Sequence, residues 1–587
     1  MFEITRLHGA TVQSDGATCF SLWAPDADTV AVKLGDGSVH TLHHQASGWY
    51  SARVNCGPGT AYRFLINGQL SVPDPASRHQ PQGVDGPSCV LDPDAFAWQI
   101  NEWQGRPWHE TVIYELHPGA FGGFAGIQAR LPELLDLGIT AIELMPVNEC
   151  PGKQNWGYDG VFPFAPQSSC GTPDDLRRLI DAAHASGLMV FMDVVYNHFG
   201  PHGNYLGKYA RSFFREDIDT PWGPAIDFRN SQVCDFFCEN ALMWVLDYRV
   251  DGLRLDAVHA INDMDFLTNL ARRVRSAVPP ERHVHLMLEN EHNQASLLTE
   301  GFDAQWNDDG HHALHVLLTG ENESYYRDFA DDATIKLARC LKEGFIYQGE
   351  TTRTGSSRGE PSGHLPPTAF ILFLQNHDQV GNRAFGERLI TLADHRAVKA
   401  ALGLVLLCPM IPLLFMGEEW GCEQPFLFFT DHDEELGKAV REGRRNEFAD
   451  FTAFTDEMIR QRIPDPNSHS TYITSVPDRT GGNSTLQDDW LAYYRSLLRL
   501  RHAHIVPRLP GTLSDGTTIT GEKAVSACWR LGDGSRLRID LNLSGSSVPV
   551  TAPDPGTRII HDYRASLSKD PTILPGYSSR AILDQAT

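Results

Sequence analysis

Apolar and polar positions follow two different rules along this chain. Over residues 1–95 they alternate or form short runs. Phe20-Ser21-Leu22-Trp23, Val30-Ala31-Val32-Lys33-Leu34, Trp49-Tyr50-Ser51-Ala52-Arg53-Val54 and Tyr62-Arg63-Phe64-Leu65-Ile66 read as strands with one face on a core. Gly35-Asp36-Gly37-Ser38 and Asn67-Gly68 supply turns. Strands this short and this regularly spaced predict a small N-terminal β-sandwich, with its aromatic residues in the core.

From about residue 110 the pattern becomes continuous apolar runs separated by helical periods. The runs are Val112–Leu116, Ala141–Met145, Val190–Val195, Gly252–Asp256, Val284–Glu289, Phe302–Trp306, Phe373–Asp378 and Ile411–Met416. Short apolar runs of this kind read as strands buried on both faces. A helix is expected between them at Asp174–Ala185, started by Thr172-Pro173 and stopped by Gly187. Eight strand–helix units in one span are the arithmetic of a (β/α)8 barrel. The expected fold is therefore α/β: a TIM barrel over residues 96–505 with a short insert at 199–230, the front β-sandwich at 1–95, and a C-terminal β-sandwich domain at 506–587. In the last of these Leu537-Arg538-Ile539-Asp540-Leu541 alternates again. Residues Pro464–Gly482 are expected to be a loop, and Trp490–His504 a helix.

Composition narrows the function. With 587 residues the chain is too long for one core. A net charge of −25 disfavours nucleic acid and anionic membranes as partners and fits a neutral ligand. The segment Met1–Arg6 does not read as a leader, and no apolar run is long enough to span a membrane. The eleven cysteines are scattered; Cys234 and Cys238 lie one helical turn apart without a second pair to complete a zinc set. The expectation is reduced thiols in a cytoplasmic protein, with no metal and no cofactor.

Three of the runs end on acids: Asp256, Glu289 and Asp378. An unpaired carboxylate is costly to bury, so each is expected at an open mouth, which in this fold is the C-terminal end of the strands. Cleaving a glycosidic bond needs one protonated and one ionised carboxyl group. Arg254, two residues before Asp256 on the same strand face, favours the ionised form there and makes Asp256 the candidate nucleophile. Glu289 follows Leu286-Met287-Leu288, a setting that keeps a carboxyl protonated, as a general acid requires. Asp378 would hold sugar hydroxyls. His198 and His377 are candidate donors to those hydroxyls, and Trp156 and Tyr158, in Asn155-Trp156-Gly157-Tyr158-Asp159-Gly160, are candidates for stacking on a sugar ring.

Asp193…Asn197-His198, Gly252-Leu253-Arg254-Leu255-Asp256, Glu289 and Asn376-His377-Asp378 together resemble the four signature regions of the α-amylase superfamily, the family 13 glycoside hydrolases. The resemblance implies a retaining double displacement with Asp256 as nucleophile, Glu289 as acid/base and Asp378 as transition-state stabiliser. A finer resemblance is to the branch of that superfamily that releases trehalose from maltooligosyl trehalose. It rests on Glu143-Leu144-Met145-Pro146-Val147, Asn204-Tyr205-Leu206, Thr220-Pro221-Trp222-Gly223, Asp378-Gln379-Val380-Gly381-Asn382-Arg383 and Phe415-Met416-Gly417-Glu418-Glu419-Trp420. It implies an α-1,4-glucan ending in trehalose as substrate, and Trp222, Gln379, Asn382 and Arg383 as contacts on the leaving side. Ala257-Val258-His259-Ala260 stands where amylases usually carry a Lys-His pair, which leaves His259 as the substrate contact at that place. Asp193 and Asn197 are expected to be structural hydrogen-bonders. The alternative within the superfamily is an α-glucan branching or debranching enzyme; outside it, a barrel without catalysis that only binds glucan.

Overall fold

The computed structural model describes residues 6–584 except Pro221, Asn262, Thr354, 449–455 and Gly481, and omits the side chain of Asp219. Most of the N-terminal segment read for a leader, and Pro221 of the Thr220–Gly223 turn, lie outside the described residues.

The front domain is two antiparallel sheets packed face to face. One orders Gly9–Val12, Thr18–Trp23, Trp49–Val54 and His43–His44; the other orders Val39–Thr41, Val30–Leu34, Ala61–Ile66 and Leu70–Val72, with Ser88–Cys89 on Ala61–Ile66. The alternating residues Phe20, Leu22, Val30, Val32 and Phe64 are buried, as a one-faced strand pattern requires. Glu239, on the barrel helix Ser231–Leu242, fastens the sandwich to the barrel. It accepts from the Leu7 amide at 3.0 Å and Arg78 Nη2 at 3.1 Å, and meets His8 Nδ1 at 2.8 Å.

Eight parallel strands close into a barrel in chain order: Ile113–Leu116, Ala141–Leu144, Met189–Val194, Gly252–Leu255, His285–Leu288, Ala304–Trp306, Phe370–Leu372 and Ile411–Phe415. The register sets Asp193 beside Arg254 and Arg254 beside Met287. Because side chains alternate across a strand, Ile113, Met189, Phe191, Met287 and Ile411 form an apolar core inside the barrel, with Trp103 and Trp108 packed against it. One layer nearer the strands' C-terminal ends the same inward phase carries Glu115, Glu143, Asp193 and Arg254, all buried. The barrel interior thus changes from apolar to charged toward the mouth.

Three local expectations are corrected. The seventh strand stops at Leu372, so Asp378 does not end a strand but sits in a one-turn helix, His377–Gly381, capped by the Asn376 side chain. Within the expected loop Pro464–Gly482 a helix forms at His469–Thr474, tied to the first barrel loop by Tyr472 Oη donating to the Gly119 carbonyl. The last long helix starts earlier, at Ser484, with Asn483 as its cap, and passes into a π-helical turn at Arg501–Ile505. There the buried Arg501 donates to the carbonyls of Leu406, Cys408 and Met410. Helix Pro173–Ala185 has the capping box of Thr172 and Asp175.

The tail is a five-stranded antiparallel sheet, ordered Leu513–Gly521, Ala524–Arg530, Arg536–Asn542, Ser578–Asp584 and Arg558–Tyr563, with the pair Val548–Pro549 and Ile573–Leu574 against it. No helix among the described residues is long and apolar enough to cross a membrane.

Candidate active site

Arg254 is the hub of the mouth. Its guanidinium is fully buried and lies 4.2 Å above the Trp306 ring. Nη1 donates to Asp193 at 2.6 Å and to Asp256 at 2.8 Å, and Nη2 reaches Glu289 at 3.3 Å. One cation therefore serves three carboxyl groups, and the three titrate as a set. Burial raises Asp256 to about 7 against the pull of Arg254. The spacing on the strand gives the direction of the Arg254 effect, but the cost of desolvation is larger and depends on burial that spacing does not show. Glu289 is also raised, chiefly by burial. Its Oε2 accepts the Ala257 amide at 2.7 Å, an interaction set up by the left-handed backbone of Ala257 at φ 41°.

Asp378 is steered from beneath. Glu115 accepts the backbone amide of His377 at 3.0 Å and pairs with its Nδ1, while His377 Nε2 stands 3.4 Å from Asp378. Burial acts to lower the His377 pKa, but Asp378 and Glu115 outweigh it and raise it to about 9, so the imidazole is a buried cation. Asn382 donates to Asp378 Oδ1 at 3.1 Å. The charge of Asp378 also acts to raise both Asp256 and Glu289.

The remaining candidates divide. Tyr158 donates from Oη to Asp193 at 2.7 Å and stacks its ring on His377 with centroids 5.1 Å apart. Trp156 is 3 % exposed, stacked on Phe426, with Nε1 bonded to the Leu427 carbonyl. It has no face to offer a sugar and is corrected to a wall residue. The free aromatic is Trp222, at the tip of the hairpin Phe214–Thr220/Gly223–Ile226; it is 46 % exposed and stacked on His198 at 4.8 Å and 13°. His198 itself is buried, with both ring nitrogens against Asn197 Oδ1 and the Tyr158 carbonyl and its pKa lowered by burial to about 4. In this arrangement it supports Trp222 instead of donating to a sugar. His259 lies beside Glu291, whose amide approaches its Nδ1 at 3.4 Å. Gln379 reaches Asp308 at 3.4 Å. Arg383 is gripped by Glu321 through two bonds of 2.8 Å on a wall of a 680 Å³ cavity that also includes Tyr325 and Asn382. Asn197 Nδ2 stands 3.5 Å from Asp256 Oδ2, and Asp193 bonds Arg254 and Tyr158, as hydrogen-bonders expected of both.

Sequence reasoning passed over Glu115, Glu143, Asp308 and Glu321. Glu143, with its Oε2 bonded to no other described group, is driven well up by burial. Asp308, raised well above the usual carboxylate range by burial, is a further acid near Glu289 and Asp378. The signal for Glu115 and Glu143 was a charge at an inward position of an apolar strand; for Asp308 it was the pair Asp308-Asp309 closing the run Ala304-Gln305-Trp306. Among the described residues no group of three or more His, Cys, Asp or Glu is placed to hold a metal ion.

A closed parallel barrel with a carboxyl cluster on one arginine at its mouth is the architecture of a glycoside hydrolase of the α-amylase superfamily. The description "Alpha amylase, catalytic domain" matches residues 93–222, and a domain of unknown function (DUF3459) matches 513–579. The chain is 38 % identical to the malto-oligosyltrehalose trehalohydrolase of Deinococcus radiodurans, over 94 % of this chain and 92 % of the relative. It is 39 % identical to that of Saccharolobus solfataricus, over 84 % and 86 %. It belongs to the malto-oligosyltrehalose trehalohydrolase family. A crystal structure described as a putative alpha amylase from Salmonella typhimurium superposes with TM-score 0.92 at 40 % identity, covering 100 % of both chains. A pullulanase from Paenibacillus barengoltzii, at 19 % identity and TM-score 0.72 over 98 % and 95 %, shares the fold.

Proposed function

We propose that the protein hydrolyses the α-1,4-glucosidic bond next to the terminal trehalose of maltooligosyl trehalose and releases trehalose. One observation carries the substrate: trehalohydrolases match nearly the whole chain at 38 % identity, whereas a 1,4-alpha-glucan branching enzyme from Xanthomonas euvesicatoria matches 70 % of it at 27 %. The geometry supports the reaction type. Two carboxyl groups bridged by one guanidinium are close neighbours, as a retaining pair must be. Asp256 attacks the anomeric carbon, while Glu289, whose protonated form burial favours, gives its proton to the departing oxygen. Glu289 then takes a proton from the water that hydrolyses the glycosyl-enzyme. Asp378, oriented by His377 and Asn382, binds the sugar hydroxyls. Trp222 offers a stacking face, and Gln379, Asn382, Arg383 and His259 ring the leaving side. The eleven unpaired cysteines support a reducing compartment, the cytoplasm.

Incubation with maltooligosyl trehalose and, separately, with amylopectin tests this. Trehalose release from the first is the expected result; new branches or linear chains from amylopectin without any trehalose would establish the branching or debranching alternative.

A further inference from the structure

A second cavity lies outside the barrel wall. Helices Gly123–Leu137 and Ser484–Leu500 run over the outer face of the first barrel strand and enclose a space of about 370 Å³, inside the range of roughly 300–1,000 Å³ of small-molecule sites. Tyr114 faces this space, whereas its neighbour Glu115 points into the barrel toward His377. The strand therefore separates the cavity from the acids of the cleft.

The floor is Glu419 and Trp420, each 4 % exposed, in the turn after the last strand. Tyr114 Oη donates to Glu419 Oε1 at 2.9 Å. Glu419 Oε2 and Trp420 Nε1 are buried and bond no other described group of the protein. Both atoms are sealed beneath the floor, so the groups a ligand meets in the cavity are those of its walls and rim. The rim is charged. The Arg130 guanidinium lies 4.8 Å over Phe121 and makes no ion pair among the described residues, Arg479 stands 3.9 Å from Asp488, and Arg495 pairs with Asp136.

The signs of charge nearly cancel, which argues against an ion as the occupant. An anion would face Glu133, Asp488 and the floor acid; a cation would face three guanidinium groups. What remains is a mixture of donors and acceptors over apolar walls at Phe121, Leu134 and Leu491, the surface that a neutral polyhydroxylated molecule satisfies. We propose that this cavity is a second carbohydrate site that takes one or two uncharged sugar rings, as in maltose or trehalose. Arg130 and Glu133 bind hydroxyls at its rim, over a floor closed by Glu419 and Trp420. The site is independent of which glucan the cleft cleaves.

Calorimetric titration of the full chain with maltose and with trehalose tests the site. Two independent binding events are expected for at least one of these sugars. Asp378→Asn should weaken the event at the cleft. Arg130→Ala and Glu133→Ala, at partly or fully exposed positions that leave the fold intact in thermal melts, should each weaken the other event about tenfold or more. Both variants should keep the parent kcat/KM on a maltooligosaccharide substrate. No event, a single event, or a second event that neither Arg130→Ala nor Glu133→Ala alters would overturn the proposal.

Discussion

At the residue scale the site works through shared charge. Glu289→Gln keeps the shape of the side chain but removes the proton donor, and should lower kcat by about 10²-fold or more; single-turnover assays near the parent rate would refute the acid/base role. Turnover needs Asp256 ionised and Glu289 protonated, so kcat/KM should rise and then fall with pH. Asp193 is one of the charges that raises Asp256. Asp193→Asn removes that repulsion and leaves more of Arg254 for Asp256, so Asp256 should ionise more easily. The acid limb of the pH profile should then move to lower pH, and a movement to higher pH would contradict the electrostatic account. The adjacency of Arg254 and Asp256 was legible from a spacing of two on one strand. The contribution of Asp193 was not, because it depends on which strand lies alongside.

At the element scale, local signals succeeded where one element decides its own structure. Thr172 and Asp175 cap their helix from within four residues, and seven of the eight apolar runs became barrel strands because burial on both faces demands continuous apolarity, while the remaining strand, Phe370–Leu372, lies just ahead of the run Phe373–Asp378. They failed where another element intervenes, as in the helix His469–Thr474, which rests against Gly119 far away in sequence. The junction of sandwich and barrel is the same kind of through-space fact. Glu239 is buried; burial alone would raise its pKa, yet His8 and Arg78 hold it below the usual range. Glu239→Ala would leave the buried Arg78 without its carboxylate and should cost about 3–5 kcal/mol. Urea melts followed by tryptophan fluorescence measure that loss; a change within experimental error would mean the junction does not depend on this pair.

For the whole molecule, buried neutral histidines spread over the domains link stability to pH. Burial lowers His117, His198 and His561 to about 4. The unfolded chain takes up these protons near pH 6.5 and the folded chain does not. Their contribution is therefore complete above about pH 6.5 and is lost as pH falls toward 4, by an amount of order 3 kcal/mol for each group. His561 lies in the C-terminal sheet, away from the cleft. His561→Gln should reduce the drop in the urea midpoint between pH 7 and 5 without altering the pH profile of activity. An unchanged drop would show that this histidine is not a source of the acid lability.

What the sequence determined by itself was whatever depends on periodicity and on the cost of burying charge. That covers the β–barrel–β order, the eight runs, and the placing of Asp256 and Glu289 where an apolar strand gives way to a mouth. Tertiary structure alone decided which of two tryptophans is available to a ligand. Trp156 lies inward against Phe426, while Trp222 rides on His198 at the tip of a hairpin. It also decided that Asp378 stands on a helix and that one arginine serves three acids. The reason is physical: periodicity reports how a segment meets its own surroundings within a few residues. The pairing of charges and the direction of a loop aromatic are set by barrel closure, which brings together groups far apart in the chain.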